Sequence, residues 1–128
     1  MNPVVHFELP YTQADRVQKF YGKVFGWKTK PLGSEMGDYI LVTTAESDAK
    51  SGEAAGAING GLFPVKPDWP DQYPSIVIGV GDIQETMNRI GEQGSEVLGE
   101  PHIIPGFGRY IAFRDTEGNR NSILQPKM

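Results

Sequence analysis

The stretch "VVHFELPYTQADRVQKFYGKVFGW", residues 4–27, decides how the rest of the chain is read. Its first six residues are rich in strand formers and end at Pro10, which predicts a strand over Val4–Leu9. On that strand His6 and Glu8 share one face while Val5, Phe7 and Leu9 share the other. Thr12 stands where a helix cap belongs, Asp15 falls in the first turn, and Val17, Phe20, Tyr21, Val24 and Phe25 recur at helical spacing. Gly26 then supplies the left-handed residue that ends a helix. A strand carrying one of only two histidines therefore leads straight into an amphipathic helix.

The same plan starts again later. Ser75–Val80 is a β-branched run, Asp82 with Glu85 has the form of a capping box, and Ile83, Met87 and Ile90 make a helical stripe that Gly94 closes. His6 to Tyr21 and Ser75 to Ile90 span the same number of positions, so the two strand and helix pairs share a register. After the first helix, strands are predicted at Trp27–Pro31, Tyr39–Thr44 and in the Gly-rich "GAINGGLF" of residues 56–63. Between them lies "AESDAKSGEAA", residues 45–55, whose small polar composition predicts a mobile segment. After the second helix, strands are predicted at Ser95–Leu98, Arg109–Arg114 and Asn119–Gln125, with the loop "GEPHIIPGFG" and the turn Asp115–Gly118 between them.

The prolines of "PVKPDWPDQYP", residues 64–74, predict a stiff, extended connector. The expected organisation is one domain over residues 1–128, made of modules 3–63 and 74–126. About 60 residues make a marginal core, so the modules are expected to pack together. The fold class is α+β: two βαβββ modules whose curled mixed sheets enclose a cleft, the natural place for a ligand.

Composition narrows the function. With 128 residues, 38% hydrophobic and 22% charged, the chain has ordinary globular make-up. No apolar run approaches the ~20 residues of a membrane span and no secretion-type start is present, which makes the cytoplasm the default expectation. A net charge of −4 with scattered Lys and Arg gives no footprint for nucleic acid or an anionic membrane. Small molecules are the expected partners. Without cysteine there is neither disulfide nor thiolate chemistry, and no nucleophile elbow, phosphate loop or paired helical histidines occur.

The opening "HFELP" with "KFYGKVFGW", and the closing "RYIAFRDTEGNRNSILQ" at residues 109–125, together resemble the vicinal oxygen chelate superfamily of glyoxalase I, extradiol dioxygenases, fosfomycin-resistance enzymes and bleomycin-resistance proteins. The resemblance covers essentially the whole chain, and "AINGGLF" looks most like that of small glyoxalase-like proteins of bacteria. It implies a symmetric homodimer. It also implies, in members that use a metal, one ligand on the first and fourth strands of each module. His6 matches the first of these positions. The others fall at Ser75, Ser122 and near Asn59 or Gly60. Serine is a poor ligand for Zn²⁺, Ni²⁺, Mn²⁺ or Fe²⁺, so no metal site is expected and His6 alone keeps a family position.

The candidate residues follow from this. His6 is a hydrogen-bonding group or general base, and Glu8 a carboxylate on its face. Asn59, Phe63, Trp69, Ser75, Phe107, Tyr110, Ser122 and Gln125 are the candidate ligand contacts, with Trp27 and Tyr39 in the same aromatic set. Gly60 and Gly61 allow either a close approach by a ligand or a bulge. The apolar loop Pro101–Gly108 reads as a lid or an interface, with His102 solvated beside it. The expected function is metal-independent binding of an apolar or aromatic small molecule. The alternatives are a divalent-metal lyase, isomerase or dioxygenase of the glyoxalase I type, and a structural or partner-binding module.

Overall fold

In the computed structural model, which describes residues 1–45 and 57–127, the opening stretch forms β1 (Val4–Tyr11) and α1 (Ala14–Phe25). The strands β2 (Lys28–Pro31), β3 (Ile40–Thr43) and β4 (Gly60–Pro64) follow. The polar segment expected to be mobile lies outside the described residues from 46 onward. The second copy of the plan comprises β5 (Ser75–Gly79), α2 (Ile83–Glu92), β6 (Glu96–Ile104), β7 (Gly108–Arg114) and β8 (Arg120–Pro126). The fold is α+β, and the chain divides into two compact units, His6–Pro74 and Ser75–Met128, the latter joined by Met1–Val5.

In the first unit the strand order is β2-β3-β4-β1. β1 runs parallel to β4, and β4–β3 and β3–β2 are antiparallel. Alternation sends Phe7, Leu9, Tyr11, Ile40, Val42 and Leu62 to the side of α1, where they pack with Ala14, Val17 and Trp27. Ile40, Val42 and Leu62 are almost wholly buried. The second unit repeats this with the order β5-β8-β7-β6, β5 parallel to β8 and the other pairs antiparallel. Its core gathers Val80, Ile83, Ile111 and Ile123 with Met87, Ile90, Val97 and Phe113, so the stripe expected on α2 is realised.

Several expectations change. Pro10 does not stop β1. The Phe7 N–H and the Tyr11 carbonyl both bond toward β4, to the Asn59 carbonyl and the Val65 N–H. In a strand these directions alternate, so Pro10 turns its missing donor away from β4 and that ladder loses nothing. Thr12 is not the cap of α1: Gln13 holds that place without a side-chain bond, and Thr12 Oγ1 accepts from Arg16 instead. On α1, Phe20, Val24 and Phe25 face outward while Val17 reaches the core. Gly26 does take the left-handed conformation, φ 73°. On α2 half of the capping box forms. Asp82 Oδ1 accepts from the Glu85 N–H at 3.0 Å, whereas the Glu85 carboxylate pairs with Arg89.

The segment Pro101–Gly108, read as a loop, is largely strand. β6 continues through Ile104 because a register shift between Leu98 and His102, with Gly99 at φ 86°, absorbs Pro101 as a bulge. His102 is exposed on that strand. The connector is not extended either. The Gln72 side chain receives the Lys66 N–H at 2.6 Å and donates to the carbonyls of Lys66 and Trp69, closing residues 66–72 into a loop. Clustered prolines limit φ, but one amide side chain gathers three backbone groups and bends the segment.

Gly108 sits at φ 136°, and an added Cβ would lie 2.1 Å from the Gln125 carbonyl oxygen, a backbone atom bound in the β7–β8 ladder. Gly60→Ala instead meets the Phe7 ring at 2.6 Å, which yields only by disturbing the core. We expect Gly60→Ala to cost about 1–3 kcal/mol and Gly108→Ala more, read by urea unfolding. Equal stability of both variants and wild type sinks this account of the two glycines.

Candidate functional site

The predicted face split on β1 holds. His6 and Glu8 point away from α1, and the register Glu8↔Gly61 carries that face onto β4. Gly61 and Phe63 share it, as does Tyr39, which precedes Ile40 on the strand paired with Leu62. The His6 Nε2 lies 2.8 Å from the Tyr39 Oη, with the two rings nearly parallel at 17°.

That bond depends on the absence of a side chain. A Cβ on Gly61 would stand 1.9 Å from the Tyr39 Oη, so the phenol passes over the bare glycine to reach β1. Gly60 plays the same part on the other face, where its bareness admits the Phe7 ring beside Trp27. The paired glycines are thus neither a bulge nor a surface bared for a ligand. Each admits one aromatic ring.

The imidazole is half-buried, and burial lowers its pKa below 6.5, opposed by the nearby Glu8 charge. His6 is therefore neutral at pH 7, with one ring nitrogen a donor and the other an acceptor. Such a ring can exchange a proton or orient an oxygen.

In the second unit Ser75, Val77 and Ser122 share the face turned away from α2, through the register Val77↔Ser122. Ser122 is buried and its Oγ donates to the Tyr110 Oη at 2.6 Å. Gln125 lies on the opposite face, where its Oε1 accepts from the Ile83 N–H at 2.9 Å and fixes the start of α2. It stands apart from Ser122.

The remaining candidates separate. Asn59 ties strand ends together, its Oδ1 accepting from the backbone of Thr44 at 2.8 Å and of Ala45 at 3.1 Å. Trp69 is exposed on the connector loop with the Lys66 ammonium 4.0 Å above its ring. Phe107 is exposed at the β6–β7 turn. So His6, Glu8 and Phe63 share one face with Tyr39 in one unit, where His6 and Tyr39 touch, and Ser75, Tyr110 and Ser122 share a face in the other, where Tyr110 and Ser122 touch. Tyr39 belonged to a general aromatic set in the sequence. Its specific signal is the bare Gly61 diagonally across the sheet, which register alone reveals.

Register also corrects one position. Gly61 stands opposite Glu8 as Ser122 stands opposite Val77, so the fourth-strand place of the first unit is Gly61 rather than Asn59 or Gly60. The positions that the resemblance assigns to metal ligands are then His6, Gly61, Ser75 and Ser122. An imidazole engaged by a phenol, two hydroxyls and a bare backbone do not fit a divalent ion. Among the described residues no group of three or more His, Asp or Glu side chains converges elsewhere.

Comparison with known proteins agrees with this plan. Residues 4–123 match the family described as Glyoxalase/Bleomycin resistance protein/Dioxygenase superfamily. A "Glyoxylase-like domain-containing protein" of Didymella fabae is 28% identical, over 91% of this chain and 88% of that protein. A Mycobacterium bovis protein named "Putative glyoxylase CFP32" is 27% identical over 93% of this chain, which spans only 42% of its length. Methylmalonyl-CoA epimerase from Mycobacterium tuberculosis shares the fold, with a TM-score of 0.71 at 14% identity over 98% of this chain and 88% of that one.

The lowered pKa of His6 sets a sign for stability against pH. As pH falls below 6.5 the unfolded chain takes up this proton before the folded one. Stability from this residue is complete above that value and is lost as pH falls through the folded pKa. His6→Gln is expected to flatten that part of the decline in Tm between about pH 7 and pH 5. A wild-type minus variant difference in Tm that stays constant over this range removes burial as the cause.

Proposed function

The chain belongs to the glyoxalase/bleomycin resistance protein/dioxygenase superfamily, and from that premise we propose that it binds a small apolar or aromatic molecule through organic side chains rather than a divalent ion. The observation that carries this reading is the 2.8 Å bond between His6 Nε2 and Tyr39 Oη across Gly61. A metal-binding imidazole offers a ring-nitrogen lone pair to the ion, and its other nitrogen is oriented by a partner. Here Nε2 is met by a phenol, and the corresponding strand positions hold no carboxylate or second imidazole. The half-buried Phe63 lies on the same face and supplies apolar contact for a ring. The second unit has a hydroxyl pair of its own, Ser122 donating to Tyr110.

Two measurements test the proposal. After incubation with Zn²⁺, Ni²⁺, Mn²⁺ and Fe²⁺ and dialysis, elemental analysis is expected to find no ion in stoichiometric amount. The apolar fluorophore N-phenylnaphthylamine is expected to bind saturably, and Phe63→Ala to weaken it by about tenfold or more, since burying a phenyl ring contributes about 1.5–3 kcal/mol. One tightly held ion per chain that His6→Ala abolishes overturns the proposal. So does a fluorophore signal that never saturates.

A further inference from the structure

Between Arg16 and Ser34 the chain holds five of its twelve Lys and Arg and none of its sixteen Asp and Glu, on a molecule whose net charge is −4. Three of the five, Arg16, Lys19 and Lys23, stand on α1 at three- and four-residue spacing, so they line one flank of the helix. All three are exposed, and neither lysine has an ion-pair partner among the described residues. Phe20 and Val24 run as a row beside that flank, 54% and 57% exposed, and Phe25 at the end of the helix is 60% exposed. These side chains continue the core outward. Phe20 meets Tyr21 edge-on with ring centroids 5.1 Å apart, and Phe25 lies 6.0 Å from both Tyr21 and Trp27. Trp27 stacks on Tyr21 at 4.6 Å and stands 5.5 Å from Phe7, which packs on the core. A continuous aromatic cluster thus runs from the core into water, with cations along one side.

We propose that this face of α1 is a docking surface for an anionic lipid bilayer, with Phe20, Val24 and Phe25 entering the headgroup boundary and Arg16, Lys19 and Lys23 lying on the lipid phosphates. The proposal goes beyond the small-molecule reading and needs nothing from it. The three apolar side chains expose roughly 300 Å² together, an amount that marks an interaction site when polar residues rim it. A stable protein interface takes about 800 Å² from each partner, so a second copy, or any protein seated on this patch alone, is undersized. A two-fold contact also sets Arg16, Lys19 and Lys23 against their own copies, where like charges repel. A bilayer meets neither restriction. It takes a convex helix face without a groove, and an anionic one supplies the opposite charge along its whole surface. Composition leaves no footprint for such a surface because acids outnumber cations over the chain; helical spacing sorts the two. Lys28 and Lys30, the other two cations, alternate on β2 with Thr29, which bonds Gln18 of α1, so they turn to the opposite face of the sheet.

The experiment is cosedimentation of the intact chain, at about 0.1 M salt, with vesicles of phosphatidylcholine alone and with vesicles carrying about 30% phosphatidylglycerol. The chain is expected to partition onto the anionic vesicles at least about tenfold more strongly than onto the neutral ones. Lys19→Gln with Lys23→Gln is expected to weaken that partition about twentyfold, since each basic residue near an anionic surface contributes about fivefold. Lys28→Gln with Lys30→Gln removes the same charge from the other face and is expected to stay within about twofold. Phe20→Ser with Phe25→Ser is expected to weaken the partition about tenfold or more. If that pair fails to fold by circular dichroism, the two lysine pairs decide. Sedimentation with neither kind of vesicle overturns the proposal and leaves the face to an acidic protein. Equal binding to both kinds, equal loss from the two lysine pairs, or unchanged binding without the two phenyl rings overturns it as well.

Discussion

Two adjacent glycines on β4 hold the first unit in its arrangement, because each leaves room for a ring on a different face of the same sheet. Glycine inside a strand costs roughly 0.5–1 kcal/mol relative to alanine, so a consecutive pair is a real local expense. Burying a ring such as that of Phe7 contributes about 1.5–3 kcal/mol, and the Gly60 side of the exchange therefore favours the fold. On the Gly61 side the gain includes the bond between phenol and imidazole, worth about 1 kcal/mol net, with the two rings nearly parallel. Each glycine thus admits a ring, Gly60 on the core side and Gly61 on the face that carries His6.

The second unit shows what the first would be with a side chain at the same place. Ser122 occupies the register position of Gly61, and Tyr110 that of Tyr39. The serine is buried and the phenol ends on it. Only in the first unit does the phenol travel on to the first strand, where His6 stands in place of Ser75. The two units thus hold the same backbone frame and the same tyrosine, yet place different chemistry over it. An imidazole differs from a hydroxyl in that it can take up a proton as pH falls, and burial lowers the pH at which this one does so.

Much of this frame was legible in the residues. The face split of His6 and Glu8 from Phe7 and Leu9, the left-handed Gly26, the α2 stripe of Ile83, Met87 and Ile90, and the repeated βαβββ plan all rest on periodicities that tertiary context did not override. The failures share a cause. Pro10, Pro101 and the connector prolines were read by what proline does to a local segment, whereas their effect depends on which side a partner strand lies or on what another side chain gathers. Pro10 turns its nitrogen away from β4, a bulge absorbs Pro101, and Gln72 folds the connector. The site was half legible for a similar reason. His6, Ser75 and Ser122 follow from one strand's alternation or from a family pattern. The meeting of Tyr39 with His6 and the placing of Gly61 need the register among three strands, as does the separation of Gln125 from Ser122.

Alternation also explains how such a site can change without loss of the fold. On β4 the core residue Leu62 lies between Gly61 and Phe63, and on β8 the core residue Ile123 lies beside Ser122. Neighbours in sequence face opposite ways, so exchanging a carboxylate, a hydroxyl or bare backbone at positions 61 or 122 leaves Leu62 and Ile123 packed against the side of their helix. The limit on such exchange comes from the third strand. Once Tyr39 extends over position 61, a side chain there and the bond to His6 exclude each other, since both require the same volume within 1.9 Å. A fourth-strand ligand and a third-strand phenol are therefore alternative occupants of one place, and this chain holds the phenol.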